Sequence, residues 1–143
     1  LLAGKYQPRR LKKLKLEDCC LSNGVPEIDG PTFVKLIQSP FFGGLEELEN
    51  HYHTIAPAGI AALLKSPSRT TLRYLSLHNS QLRDEGLQLL FDNAWPSLRG
   101  IYISYDSFSP QLIQSLKKTR LYAQCPQVAV FPMEGEHIYK EIK

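Results

Sequence analysis

An eleven-residue leucine pattern occurs four times in this 143-residue chain and constrains its fold more than any other feature. The clearest copy, LRYLSLHNSQL at residues 72–82, has leucines at its positions 1, 4, 6 and 11, which fits neither a helix nor a simple alternating strand. The other copies are LKKLKLEDCCL from Leu11, LEELENHYHTI from Leu45 and LRGIYISYDSF from Leu98. Their starts lie 34, 27 and 26 residues apart, which indicates a repeated unit with an insertion near residues 22–30.

An amphipathic segment follows each copy and predicts a short helix. The four segments are PTFVKLIQSP, APAGIAALLKSP, RDEGLQLLFDNA and SPQLIQSLKKT. Each begins with a residue that favours helix starts and carries apolar residues three or four positions apart. Pro57 and Pro110 suit a first helical turn, whereas Pro40 and Pro67 suit helix ends.

A short strand, a turn and a helix repeated in this way resemble the leucine-rich repeat, and LRYLSLHNSQLRDEGLQLL is similar to its ribonuclease-inhibitor-like subclass. The resemblance covers roughly residues 11–118. It implies an α/β solenoid, a right-handed horseshoe segment with a parallel sheet on the concave face and helices on the convex face. We therefore predict parallel strands near residues 13–17, 47–51, 74–78 and 100–104.

The chain length and its apolar content predict a single domain over residues 1–143. The repeats are placed near residues 11–44, 45–71, 72–97 and 98–124, with a C-terminal strand at VAVF and a cap within 125–143. Solenoid ends need a polar cap, and the start LLAGKYQPRR is short and apolar. We therefore expect the chain to be a fragment of a longer protein.

Two positions of the repeat depart from the residues usual in the family. The slot that the family fills with Asn or Cys holds Cys19, His53, Ser80 and Asp106, all of which can hydrogen-bond to a turn. Asn50 stands where a leucine is expected, so its amide must find a partner if it is buried. We predict that Asn50 is a tolerated defect and that Asn50→Leu is neutral or stabilises the fold by up to about 1–2 kcal/mol. The alternative is a hydrogen-bonding device that serves the insertion.

The resemblance also implies which side chains point off the concave face. Across the four strands they form three columns, which are Lys13, Glu47, Tyr74 and Gly100, then Lys15, Glu49, Ser76 and Tyr102, then Glu17, His51, His78 and Ser104. Tyr52 and Tyr105 follow at the strand ends. Lysines opposite glutamates predict surface pairs that neutralise each other, whereas the tyrosines suit a protein contact or reflect strand propensity alone.

The leading hypothesis is a protein–protein interaction module that presents this face to a protein partner. Its predicted partner-binding residues are Lys13, Lys15, Glu47, Glu49, His51, Tyr74, Ser76, His78, Tyr102 and Tyr105. The alternative is a structural scaffold subunit of a larger assembly, which would bind through the convex helices or the exposed solenoid edge. The upstream sequence would distinguish the two.

No catalytic residue, metal or cofactor is predicted, and the chain is not expected to be an enzyme. His51 and His78 with Glu17 form a conceivable metal set, but solvated histidines explain them better. No cysteine or serine has a recognisable base, and FFGG lacks the lysine of a phosphate loop. A net charge of +3 and basic clusters without interleaved aromatics disfavour nucleic acid.

The cysteines and the hydropathy bear on location. Three cysteines, an odd number without metal-type spacing, indicate reduced thiols and hence a cytoplasmic, intracellular setting. No apolar run approaches the roughly 18 residues of a membrane span, so no membrane partner is expected. The oligomeric state is left open by the sequence.

Overall fold

A six-stranded sheet organises the computed structural model, which describes residues 10–17 and 28–141. The strands are β1 Lys13–Glu17, β2 Glu47–His51, β3 Tyr74–His78, β4 Gly100–Ser104, β5 Gln127–Phe131 and β6 Ile138–Glu141. They lie side by side in chain order. The first five pair in parallel, and β6 returns antiparallel to β5. The four predicted strands and the predicted C-terminal strand are thereby confirmed.

Helices connect the parallel strands, as the amphipathic segments predict. They are α1 Gly30–Gln38, α2 Ala56–Lys65, α3 Ser68–Thr71, α4 Arg83–Asp92, α5 Pro110–Leu116 and α6 Arg120–Gln124. A short 3-10 turn at Pro40–Phe42 follows α1. Neighbouring helices pack on one another, α1 on α2, α2 on α4, and α4 on both α5 and α6.

The helix ends follow from local chemistry. The side chain of Asp29 caps α1 by accepting from the backbone N–H of Thr32 at 2.8 Å, and Ser109 caps α5 in the same way. Pro57 and Pro110 lie in first helical turns, where a missing N–H costs no helical hydrogen bond. Both positions agree with the sequence prediction.

The leucine pattern forms the core between the sheet and the helices. Alternate strand residues are buried, such as Leu48, Leu75 and Ile103, and they meet helix residues such as Ile60 and Leu87. Each such side chain contributes about 1.5–3 kcal/mol when it is removed from water. Because strand side chains alternate, the residues between the leucines must point away from the helices.

The slot residues that follow β2, β3 and β4 are buried and hydrogen-bonded. His53 Nδ1 accepts from the Ile28 backbone N–H at 3.0 Å, and Asp106 Oδ2 accepts from the Leu82 N–H at 2.9 Å. Burial raises the pKa of Asp106, and hydrogen bonds from the backbone N–H groups of Leu82, Ser107 and Arg83 limit the rise. Cys19 and residues 22–27 of the insertion lie outside the described residues.

Asn50 is fully buried and uses its amide nitrogen twice. Nδ2 donates to the carbonyl of His53 and to Oγ of Ser80, both at 2.7 Å. Its carbonyl oxygen Oδ1 has no hydrogen-bond partner among the described residues. These bonds join the turn after β2 to the turn after β3, so Asn50 serves the two turns of adjacent units.

The architecture is thus a mixed α/β fold with a largely parallel sheet. That this fold is a leucine-rich-repeat solenoid stays a prediction. Among the described residues, no helix combines the length and the apolar content that crossing a bilayer requires.

Candidate functional site

The sheet surface opposite the helices, here called the open face, carries nine of the ten predicted binding residues, and Tyr105 directly follows β4 at the edge of this face. Strand pairing aligns them as expected: Lys13 with Glu47 and Tyr74, and Lys15 with Glu49, Ser76 and Tyr102. Beyond the predicted columns, the open face continues onto the last two strands. There Tyr102 is paired with Ala129, and Ala129 with Tyr139.

Two residues that the sequence placed on this face are in fact covered. Ser104 is only 1% exposed, because its hydroxyl lies 2.7 Å from Nδ1 of His78. Gly100 is also buried, because the ring of Tyr74 leans over it. Contacts with His78 and Tyr74, two neighbours on the same face, therefore remove Ser104 and Gly100 from solvent.

Lysine–glutamate pairs fill the half of the open face that β1 and β2 form, here called the ion-pair half. Lys13 Nζ lies 3.1 Å from Glu47 Oε1, and Lys15 Nζ lies 3.8 Å from Glu49 Oε1. Lys15 also contacts Glu17 at 2.7 Å, and this hydrogen bond raises the pKa of Lys15 and lowers that of Glu17. The opposite charges of these pairs largely offset one another. Because the side chains are accessible to water, the pairs add little stability.

The metal alternative does not form as the sequence suggested. Within the described ranges, the ligand atoms that approach within 4.8 Å of one another belong to Glu17, Glu49 and His51, without His78. The ammonium group of Lys15 already lies against both carboxylates. Lys15 therefore offsets part of the negative charge that would attract a cation.

Tyrosines surround a depression in the other half of the open face. Tyr74, Tyr102 and Tyr139 are 42%, 45% and 63% exposed, and all three line a cavity of about 320 Å³. We call this cavity the tyrosine depression. Its floor contains Gly100 and Ala129, which have almost no side chain and so leave room between the rings. A space of this size admits one or two side chains of a partner.

Polar groups close the side of the tyrosine depression that lies towards the last strand. Gln127 and Glu141 are paired across β5 and β6 and line the cavity. The hydroxyl of Tyr139 donates to Glu141 Oε2 at 2.5 Å, and this hydrogen bond raises the pKa of Tyr139. Ser76 lines the depression and also a smaller cavity beside the ion-pair half.

A cluster of aromatic rings centres on His78 at the carboxyl ends of the strands. Its ring centroid lies 4.6 Å from that of Tyr105, 4.8 Å from that of Tyr52 and 5.6 Å from that of His51. Burial, followed by the nearby charge of His51, lowers the pKa of His78. Tyr52 and Tyr105 have φ angles of 70° and 55°, which turn the chain out of the sheet at equivalent points.

Sequence reasoning missed the contribution of the last two strands. Tyr139, Glu141 and Gln127 were not among the predicted site residues. The alternation in QVAVF could have placed Gln127 and Ala129 on the open face. The leucine pattern does not predict β6, because this strand pairs antiparallel and lies outside the repeat.

Comparisons of the chain with protein-family models, with curated proteins and with solved structures give no match.

Proposed function

We propose that the chain is a protein-binding module and that the tyrosine depression is the centre of its contact surface. The carrying observation is that three exposed tyrosines converge on one cavity of about 320 Å³. Tyrosine offers a large flat apolar area with a polar tip and loses little entropy on binding, and it is enriched where interfaces concentrate their energy.

The rest of the open face supports this assignment by contrast. In the ion-pair half, lysines and glutamates already pair with one another, as Lys13 does with Glu47. A partner that covered these pairs would have to offer complementary charges or remove the pairs from water. Such contacts add specificity more than affinity. The energetic centre is therefore expected at Tyr74, Tyr102 and Tyr139.

The proposal includes the leucine-rich-repeat solenoid as its framework. Support comes from one parallel strand per predicted unit, with a helix before the next strand in each case. An intracellular location is part of the same proposal. Cys125 supports it as a free, buried thiol whose Sγ donates to the carbonyl of Gln127.

Site-specific photo-crosslinking in cells tests the proposal. A photoreactive phenylalanine at position 102 probes the open face, and the same residue at Gln88, an exposed position of α4, probes the helical face. We expect one protein to be captured reproducibly from position 102 and not from position 88. Capture only from position 88 would contradict the proposal and favour the scaffold alternative.

The captured protein is then purified and its affinity measured. Tyr74→Ala with Tyr102→Ala should weaken binding by about 10- to 100-fold, the loss of two interface tyrosines, with little change in Tm. The matched control is Lys13→Ser with Glu47→Ser, which removes a neutralised pair on the same face. Equal affinities of the tyrosine variant and the wild type would reject the tyrosine depression as the binding centre.

A further inference from the structure

We propose that the slot above Ala129, between Tyr102 and Tyr139, receives a cationic side chain, arginine or lysine, from the partner protein. This inference rests on the proposed function and names the chemistry that the tyrosine depression recognises. It follows from the backbone spacing of the two tyrosines, from the groups at the ends of the slot and from an acidic group that no described cation neutralises.

The spacing follows from strand register. Tyr102 on β4 and Tyr139 on β6 are both paired with Ala129 on β5, so they stand two strands apart. Neighbouring strands are about 4.8 Å apart, which places the two tyrosine backbones about 10 Å apart. Two rings with one chain-like or planar group between them need about 7 Å at van der Waals distance. The methyl group of Ala129 leaves this space open.

The two ends of the slot differ in polarity. Phe131 lies at one end, with its ring centroid 5.6 Å from that of Tyr102. Gln127 and Glu141 form the other end and line the same cavity. A side chain with an apolar stem and a polar head fits this gradient, with the stem between the rings and the head beside Glu141.

The charge of Glu141 selects the sign of the head group. One of its oxygens accepts from Tyr139 at 2.5 Å, and no described cation lies within ion-pair distance of this exposed carboxylate. The neighbouring Lys140 does not neutralise it, because Nζ donates to the backbone carbonyls of Tyr122 and Ala123.

Aromatic rings and a carboxylate together favour a cation over an apolar or an acidic group. The faces of tyrosine rings attract ammonium and guanidinium groups, at about 0.5–2 kcal/mol per contact depending on solvent exposure. The guanidinium group also stacks on aromatic faces and can donate to a carboxylate and an amide oxygen at once. In the ion-pair half, by contrast, the carboxylates already have lysine partners.

Peptide titration followed by NMR tests the proposal and does not require the partner to be identified first. The ¹⁵N-labelled chain is titrated with acetyl-Ala-Arg-Ala-amide, and with matched peptides in which arginine is replaced by citrulline, norleucine or glutamate. Citrulline keeps the shape of arginine and removes its charge. We expect the arginine peptide to shift the amide signals of Tyr102, Ala129 and Tyr139, with a Kd at least threefold lower than that of the citrulline peptide.

Two variants assign the effect to the slot. Glu141→Gln should abolish the advantage of arginine over citrulline, whereas Glu85→Gln, at an exposed acid of α4 on the helical face, should leave it intact. Tyr139→Ala should weaken binding of the arginine peptide. Its NMR spectrum should still be that of a folded protein. These positions are exposed or half-buried, so the folded state is expected to persist.

Some outcomes would overturn the inference. They are equal affinities for arginine, citrulline and norleucine peptides, shifts confined to the ion-pair half, or no shift at any soluble concentration. Any of these results together with crosslinking from position 102 would reject the cationic ligand and keep the protein-binding function. Selective arginine binding without a crosslinked protein would keep the slot chemistry and reject the proposed function.

Discussion

The ring of Tyr74 lies over Gly100 so closely that a Cβ atom added at Gly100 would sit 2.9 Å from Tyr74 Cδ1. Real Cβ atoms do not approach other heavy atoms to this distance, so the glycine determines where the tyrosine rests. Tyr74 forms one wall of the tyrosine depression and Gly100 part of its floor. The shape of the candidate site therefore depends on a residue that offers no contact of its own.

The coupling between these two residues can be measured by urea unfolding. In the wild-type background, we expect Gly100→Ala to be neutral or destabilising, because the new methyl group displaces the ring. In a Tyr74→Ala background, the same change should stabilise the strand by about 0.5–1 kcal/mol, since glycine is disfavoured there. Equal effects in both backgrounds would show that Tyr74 does not rest on Gly100.

Replacing Gly59, which lies in the core, should change the stability of the fold more than replacing Gly100. A Cβ atom there would lie 2.5 Å from Ile55 Cγ2 and 2.9 Å from Phe33 Cδ1, two side chains that are fully buried. Helix propensity favours alanine by about 1 kcal/mol, but overpacking a closed core costs about 1–3 kcal/mol. We therefore expect Gly59→Ala to lower the urea midpoint.

The control for Gly59 is Gly86→Ala in α4. There the nearest atom to an added Cβ is Leu82 Cβ at 3.2 Å, a milder approach. We expect this variant to retain a midpoint close to that of the wild type. A stabilised Gly59→Ala protein would mean that Ile55 and Phe33 can move apart at little cost.

Strand positions could be predicted because the repeat states them several times in one frame. Leu48, Leu75 and Ile101 occupy the same position in successive units, and their strands pair in register. Burial of one face and exposure of the other then follow from strand alternation. The ion pairs of Lys13 and Lys15 were predictable for the same reason, since register alone places them opposite Glu47 and Glu49.

The remaining features depend on contacts that no local pattern encodes. Strand β6 forms by pairing with β5, and with it arrive Tyr139 and Glu141, which complete the tyrosine depression. The burial of Ser104 depends on the orientation of the His78 ring, which is a tertiary contact. A search limited to the leucine frame finds only part of the site.

The two hydrogen bonds of Asn50 reverse the sequence-based prediction for its replacement by leucine, so we now expect a loss of stability. Its Nδ2 donates to the His53 carbonyl and to Ser80 Oγ, and both partners would be left in a buried position without this donor. Leaving buried polar groups unpaired costs about 1–3 kcal/mol each, although Oδ1 itself is unpaired and its removal is favourable. We therefore expect Asn50→Leu to destabilise the fold by about 1–3 kcal/mol.

A double-mutant cycle with Ser80→Ala separates the two bonds of Asn50. If the bond to Ser80 matters, Asn50→Leu should cost less in the Ser80→Ala protein than in the wild type. A neutral or stabilising Asn50→Leu would restore the interpretation that a tolerated polar defect occupies a leucine position. Urea midpoints with unchanged slopes would make the comparison valid.

His78 predicts a pH dependence of stability with a definite sign. Burial and the charge of His51 lower its pKa in the folded chain below the value of about 6.5 expected when unfolded. Between these two pKa values the unfolded chain binds more protons, so the free energy of unfolding falls as pH falls through this window. The groups that face the ring are His51, Tyr52, Tyr105 and the hydroxyl of Ser104.

Replacement of His78 by asparagine keeps a polar partner for Ser104 and removes the titration. We expect the His78→Asn protein to lose less stability than the wild type between pH 7.5 and pH 5. NMR titration of the wild type should give His78 a pKa below 6.5. Parallel pH profiles of the two proteins would show that this histidine is not the source of the pH dependence.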